Sequence, residues 1–396
     1  MTNNWLTTLK IKFETRPSTT RCTRCLYDAY TPSITFDHNG VCNYCHMIDQ
    51  LAEQYPTGNK GWKILKEIAG QIKREGRKKK FDVAVGVSGG CDSSYMLHRT
   101  VELGLRPLAV NFDNGWSTKI ARENLDNLLK KINVELFTYE GDSREYDDIF
   151  RSFMLAGVRE IDALTDIGLT TTLYMAAAKY GIRYLFNGHS FQTEGVSPLD
   201  WCYTDGKYIQ SVHKQFGNRQ LQTFPNLWLS TFLKYMLVNR IKRIRPLYYL
   251  DYYKESAKEL LAREYDWQWY GGHHLENRMT EFNHTYIFPL RFGMDTRLNE
   301  YSALVRSGQM TREEGLKLIK QPIEQDIELL VDIQDRLGFS NDEMARVMTQ
   351  PQRSYRDFKT YKETFERLRP FFWVMMKLDL VPRSFYMKYT KGEEEK

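Results

Sequence analysis

The sequence predicts an α/β fold, a doubly wound parallel sheet with a cysteine-bearing module ahead of it and a mostly helical region behind. Three observations carry that prediction. Between residues 61 and about 250, short β-branched apolar runs alternate with segments of helical periodicity. Residues 1–60 are rich in turns, hold four of the six cysteines and close on Pro56-Thr57-Gly58-Asn59. From 251 to 396 the pattern is helical almost throughout, and no internal repeat is present. Residues 391–396 read as a frayed Gly and Glu tail.

In the first region Cys22-x-x-Cys25 and Cys42-x-x-Cys45 are separated by sixteen residues. That spacing lets two tight knuckles present four thiolates to one tetrahedral ion, and Asp37-His38-Asn39-Gly40 supplies the turn between them. Four thiolates leave no open position, so the expected zinc is structural, with His38 and His46 as bystanders. Free thiols or a redox pair are the alternative, and matched CxxC pairs seldom arise without metal.

In the second region strands are expected at 82–87, 107–112, 134–139, 183–187 and 244–250, with helices near 93–103, 118–132, 145–158 and 168–180. Strand-helix-strand alternation gives a parallel sheet covered on both faces, which binds ligands at the carboxyl ends of its strands. In the third region Thr311 with Glu314, and Ser340 with Glu343, each open a helix as a capping box.

Composition sets bounds. The 396 residues are 42% hydrophobic and 27% charged, with 56 Lys+Arg against 50 Asp+Glu, which excludes disorder and collagen. No apolar run approaches the roughly 20 residues a membrane span needs; the nearest, 227–238 and 371–380, are short and contain lysine. The first 21 residues lack the apolar core of a secretory signal, so the expected location is the cytoplasm. The net charge of +6, local in 73–80 and 240–245, suits a phosphorylated ligand as well as nucleic acid.

The central feature is Val85-Gly86-Val87-Ser88-Gly89-Gly90-Cys91-Asp92-Ser93-Ser94, between an apolar strand and a helix. Glycines let the backbone approach a phosphate, hydroxyls and amides donate to it, and the helix N-terminus adds its dipole. It is not a Walker A loop, because Cys91-Asp92 stands where that motif needs lysine. An Asp in a phosphate loop suits Mg²⁺ bridging the phosphates. A ligand-free glycine turn is the bland reading, and Cys91 reads as a small filler or, less simply, a catalytic thiol.

Ser-Gly-Gly-x-Asp-Ser after a strand resembles the signature of the N-type ATP pyrophosphatases, the HUP-like PP-loop ATPases, which cleave ATP between its α- and β-phosphates. More of the chain narrows the resemblance. Cys22-Thr-Arg-Cys25 with Asn39-Gly-Val-Cys-Asn-Tyr-Cys45, Asn111-Phe-Asp-Asn-Gly-Trp116, Asn187-Gly-His-Ser190, Thr193-Glu-Gly195, Tyr270-Gly-Gly-His-His-Leu-Glu276 and Phe292-Gly-Met-Asp-Thr-Arg297 look like the N-acetyl sugar amidotransferases of surface-polysaccharide biosynthesis. The resemblance spans roughly residues 20–390 and implies a four-cysteine module over 1–60, a PP-loop domain over 61–250 and an accessory helical region over 251–396.

The implied activity is conversion of the N-acetyl group of a nucleotide-linked sugar to an acetamidino group, for O-antigen or lipopolysaccharide synthesis. ATP would adenylate the amide oxygen, ammonia would attack the imidoyl carbon, and AMP would leave. By the same resemblance Ser88, Gly89, Gly90 and Ser93 hold the pyrophosphate, and Asp92 holds Mg²⁺. Asp113 either contacts adenosine or forms its Asp-Asn-Gly turn, and Gly188 lies on the ATP side. His189 polarises a phosphate or the amide oxygen, or is a plain loop histidine. Thr193 and Glu194 line the sugar pocket, with Glu194 orienting ammonia or capping a helix.

Gly271, Gly272, His274 and Glu276 match a segment that the family writes Gly-Gly-Lys-His-x-Glu-Ser. His274 and Glu276 are expected at the substrate, or else the segment is a packed turn. Here His273 replaces the lysine and Asn277 the serine.

Glutamine hydrolysis needs an activated cysteine. Residue 2 is Thr, Cys91 lies in the phosphate loop and Cys202 has no glycine elbow, so ammonia is expected from a separate glutaminase, with or without a cyclase-like barrel subunit. The aromatic stretches Trp267-Gln-Trp-Tyr270 and Phe371-Phe-Trp373 are either interface or ordinary core. The competing enzyme class, a tRNA-thiolating PP-loop protein with a zinc module, needs sulfur-carrying cysteines, and only Cys91 and Cys202 remain; no nucleic acid is expected. A nucleotide-binding adaptor has no need of an Mg²⁺-holding Asp92.

Overall fold

The computed structural model describes residues 4–14, 19–198, 201, 203–378, 380–381 and 385–390. The tail 391–396 and Cys202 lie outside them. Five strands, β1 (Val83–Gly86), β2 (Pro107–Asp113), β3 (Leu136–Glu140), β4 (Tyr184–Phe186) and β5 (Lys242–Ile244), form one sheet in the order β3-β2-β1-β4-β5. Every pairing is parallel. The crossovers are helical, Cys91–Glu102 after β1, Lys119–Ile132 after β2, and Ser143–Ala156 with Ala163–Lys179 between β3 and β4.

The hydrophobic pattern explains the two covered faces. Along β1, Val83 and Val85 join Leu65, Ile72, Leu97 and Leu261 on one side, while Ala84 joins Leu108, Leu173, Ala177 and Phe372 on the other. The period of two, apolar at every position, is what a strand buried on both faces requires. Of the expected last strand only Ile244 lies in β5. Pro246, with its φ fixed and no N–H to give, opens the short 3₁₀ turn Pro246–Tyr249 and ends β5.

The helical C-terminal region closes on the same body. Met279, Phe282, Ile287, Leu330, Ile333 and Val347 pack with Phe150, Phe153 and Tyr208 in one apolar cluster. Both expected capping boxes form, Thr311 with Glu314 and Ser340 with Glu343. No helix among the described residues is long and apolar enough to cross a membrane.

The chain leaves β1 toward β2 and β3, then returns to the other side of β1 with β4. The sheet order therefore reverses between β1 and β4, and a crevice opens beyond their carboxyl ends. The loops after these two strands, 87–90 and 187–190, border that crevice.

Candidate active site and metal centre

The cysteine cluster comes first along the chain. All four thiols are fully buried, and the sulfur separations are 3.8 Å for Cys22–Cys45, 3.7 Å for Cys25–Cys42 and 3.6 Å for Cys42–Cys45. A tetrahedral zinc with bonds of about 2.3 Å needs edges of about 3.8 Å, so the residues fit a structural zinc. The backbone N–H groups of Arg24, Cys25 and Cys42 point at Cys22 Sγ, and Arg306 donates to Cys45 and Cys25 at 3.4 and 3.3 Å. These donors satisfy thiolate charge in the interior. The Asp37 turn forms as expected; His38 on it and His46 in the helix Asn43–Gln54 are exposed, bonded to Asn39 and Asp37.

At the crevice the loop after β1 folds on itself. Gly89 has φ +81°, and a Cβ there would lie 2.0 Å from the Ala121 carbonyl, so only glycine fits. Ser93 Oγ accepts from the Ser88 amide at 3.2 Å, and Ser88 Oγ accepts from the Gly90 amide at 3.3 Å. These hydroxyls are the groups an incoming phosphate would replace on the amides.

Asp92 opens the helix Cys91–Glu102, where Tyr252 donates to its Oδ1 at 2.6 Å and Lys254 to its Oδ2 at 3.0 Å. Burial alone would raise this acid, but the Lys254 ammonium and the Tyr252 hydroxyl hold it below its ordinary value. It is thus an anion, with lone pairs left for a hard cation, and it fits the expected Mg²⁺.

The second loop brings the other expected residues to the same place. A Cβ on Gly188 would touch the Asp92 and Ser93 backbone at 3.4 Å. Burial, with Arg245 nearby, lowers His189 to about 3, so it stands as a neutral imidazole whose Nδ1 is 3.0 Å from Tyr248 Oη. Thr193 is buried and its hydroxyl has no partner among the described residues. Glu194 accepts from the Ser190 amide at 3.2 Å, and burial beside Asp92 raises it to about 7.

His274 lies between two carboxylates, 3.7 Å from Glu194 and 3.9 Å from Glu276. Burial opposes its charge, but Glu276 and Glu194 raise it to about 9. Glu276 accepts from Ser88 Oγ at 3.2 Å and so touches the phosphate loop directly, while its second oxygen is buried without a partner. One crevice therefore gathers Ser88, Gly89, Gly90, Asp92, Ser93, Gly188, His189, Thr193, Glu194, His274 and Glu276. Asp113 instead forms its turn at the end of β2, accepting from the Gly115 amide at 2.8 Å.

Two expectations are refined. Burial beside Asp92 raises the Cys91 thiol to about 12, so this side chain is a neutral filler and no ready nucleophile. The stretch Trp267–Tyr270 serves the loop: Trp267 donates to the Gly89 carbonyl at 2.9 Å, and Tyr270 Oη accepts from the Cys91 amide at 3.1 Å.

Sequence reasoning missed Tyr252, Lys254 and Asn299. Nothing in their local pattern marks them, since each acts on a residue more than a hundred positions away. Asn299 Nδ2 donates to the Glu194 carbonyl at 2.6 Å, and its Oδ1 accepts from Tyr27 of the cysteine module. One amide side chain thus ties the zinc-ligand segment to the crevice.

Comparison with known proteins agrees with this picture. Residues 276–370 match the family described as the LPS biosynthesis protein WbpG-like, C-terminal domain. Over residues 276–370 the chain is thus similar to a lipopolysaccharide-biosynthesis family, which supports the expected link to surface polysaccharide.

The match begins at Glu276, the residue that touches the phosphate loop. The uncharacterized protein MJ1599 of Methanocaldococcus jannaschii is 26% identical over 171 residues, 43% of this chain and 58% of its own length. Among solved structures, the NMN synthetase of Francisella tularensis aligns with 69% of this chain and 93% of its own at 14% identity and TM-score 0.32. The NH3-dependent NAD synthetase of Campylobacter jejuni covers 74% and 98%, again at 14% and 0.32.

Proposed function

We propose that this chain is an ATP-dependent amidotransferase that converts the N-acetyl group of a nucleotide-linked sugar to an acetamidino group, for O-antigen or other surface-polysaccharide synthesis. The observation that carries the reading is the meeting of a phosphate loop with Glu194, His274 and Glu276 in one crevice, in a chain matching a lipopolysaccharide-biosynthesis family from Glu276 onward.

An amide carbonyl is a poor electrophile, and its oxygen is a poor leaving group. Attack of that oxygen on the α-phosphorus of ATP forms a C–O–P link and releases pyrophosphate, which improves both. Ammonia then bonds to the imidoyl carbon, the C–O bond breaks, AMP carries away the oxygen, and a proton is lost. Ser88, Gly89, Gly90 and Ser93 would hold the departing pyrophosphate, and Mg²⁺ on Asp92 would supply charge neutralisation there. Asp113 and Gly188 would lie along the nucleotide, and His189 would meet it as a neutral donor. Thr193, His274 and Glu276 would face the sugar, and Glu194, poised near neutrality, would take the proton of the attacking ammonia.

Ammonia would come from a separate glutaminase, with or without a barrel-shaped carrier subunit. The buried, protonated Cys91 weighs against the thiolating alternative, because it is the remaining described cysteine outside the metal cluster. Mass spectrometry decides the question. Protein, ATP, Mg²⁺ and ammonium with a panel of nucleotide-linked N-acetyl sugars should yield AMP and a sugar with oxygen exchanged for NH. AMP made only with bulk tRNA, or ADP in place of AMP, would overturn the reading.

A further inference from the structure

The crevice is crowded with acid. Asp92, Glu194, Glu276 and Glu300 act on one another or on the same cations, Lys254 and His274. Two further cations act at its margin and are engaged elsewhere. Lys258 pairs with Glu255 at 2.8 Å over the Trp269 ring, and Arg245 lies against Tyr248. Asp92, Glu194 and Glu276 thus share Lys254 and His274 between them, and any phosphate on the adjoining loop adds negative charge.

Within this crowd the ligating atoms of Glu194, His273 and His274 all lie within 4.8 Å of one another. The two imidazole rings are adjacent, with centroids 3.7 Å apart. His274 adopts φ 62°, a left-handed backbone that a non-glycine residue keeps only when its surroundings hold it. Its two ring nitrogens look in opposite directions, Nε2 toward Glu194 and Nδ1 toward Glu276. Metal-binding histidines have this arrangement, one nitrogen on the ion and the other oriented by a carboxylate.

We infer that Glu194, His273 and His274 bind a divalent cation of the borderline class, such as Zn²⁺, Co²⁺ or Ni²⁺, as a second metal site beside the phosphate loop. Two imidazoles and a carboxylate favour these ions over Mg²⁺ or Ca²⁺, which prefer all-oxygen shells. Bonds of about 2.1 Å need ligand separations of about 3.4 Å, close to the 3.7 Å between His274 and Glu194 and within side-chain rotation of the rest. Lys254 now donates to Nδ1 of His273 at 3.1 Å; the cation takes that lone pair in its place, and Lys254 keeps Asp92. Three protein ligands leave open positions for a substrate oxygen or nitrogen, unlike the closed cysteine cluster.

The test needs no sugar and no turnover, so it stands apart from the amidotransferase reading. The metal-free full chain is titrated with Co²⁺ and read by metal analysis together with the thiolate charge-transfer band, which reports the cysteine cluster alone. Wild type should bind two cobalt ions per chain, one with the band and one without it. The His273→Ala, Glu194→Gln double variant should bind one, with the band unchanged as proof that the fold is intact. If the variant does not fold, zinc X-ray absorption of the wild type decides: an average near two sulfurs per zinc supports the second site. A single cobalt in wild type, two in the variant, or an average near four sulfurs per zinc would overturn the inference.

Discussion

Two clusters of potential metal ligands lie in this protein, and they are built in opposite ways. Cys22, Cys25, Cys42 and Cys45 come from one short stretch, are fully buried, and sit at tetrahedral spacing with donors on their sulfurs. The crevice takes Asp92, Glu194, Lys254, His273, His274 and Glu276 from separate segments and keeps a Glu276 carboxylate oxygen and a Thr193 hydroxyl that have no partner among the described residues. The closed cluster stabilises; the open one retains groups with chemistry to perform. Local spacing suffices for the first, whereas the second exists only after folding.

The sharpest way to break the comparison is to open the closed cluster. Cys25→Ser should release the zinc and destabilise the N-terminal module by several kcal/mol, since metal binding there is folding free energy. Metal analysis and urea unfolding measure it. Zinc lost with stability unchanged would show that packing, and not a metal, maintains the module.

Next in size is the buried pair at the loop. Asp92→Asn leaves the Lys254 ammonium without its carboxylate and should cost about 3–5 kcal/mol, with AMP formation lost. Restoring neutrality with a second change, Lys254→Met, should recover much of the stability and none of the activity, because the Mg²⁺ ligand is still missing. Thermal unfolding of the two variants separates the two roles.

A third test uses pH. With the Glu194, His273 and His274 cluster free of metal, burial and Asp92 raise Glu194 to about 7, so the base form appears only as pH rises through that value. Activity at fixed free ammonia should climb between about pH 6 and 8, and Glu194→Gln should flatten the profile with a loss of about 10²-fold or more. The stability sign is the reverse. The folded state holds this proton above the ordinary 4.5, so its cost is absent below 4.5, grows through the window up to about 7, and stays at full size above it. The Gln variant should lose that slope in unfolding experiments at several pH values.

Smaller effects probe the link between the clusters. Asn299→Ala removes the hydrogen bonds to Glu194 and Tyr27 and should cost about 1–2 kcal/mol, lowering kcat with ATP affinity unchanged. Thr311→Ala, at an exposed capping box, should cost about 1 kcal/mol and leave kcat alone. A fall in kcat there equal to that of Asn299→Ala would deny Asn299 any special part.

What the sequence determined by itself was everything written in short-range pattern. The four cysteines, the alternation that makes a parallel sheet, the Ser88–Ser93 loop and the two capping boxes are read from pattern along short stretches, and all formed as read, whereas the Ala121 carbonyl that makes Gly89 obligatory comes from the next helix. The strand end at Pro246 was legible too, had the missing N–H been given its weight over the apolar run. Only the tertiary structure decided which charges meet. Lys254 on Asp92, Asn299 under Glu194, and Glu276 on Ser88 each join residues 100 or more positions apart. It also decided their protonation, making His189 neutral, His274 charged and Cys91 inert. The physical reason is that a proton's affinity depends on burial and on charges a few ångströms away, and a linear sequence specifies neither until the chain has folded.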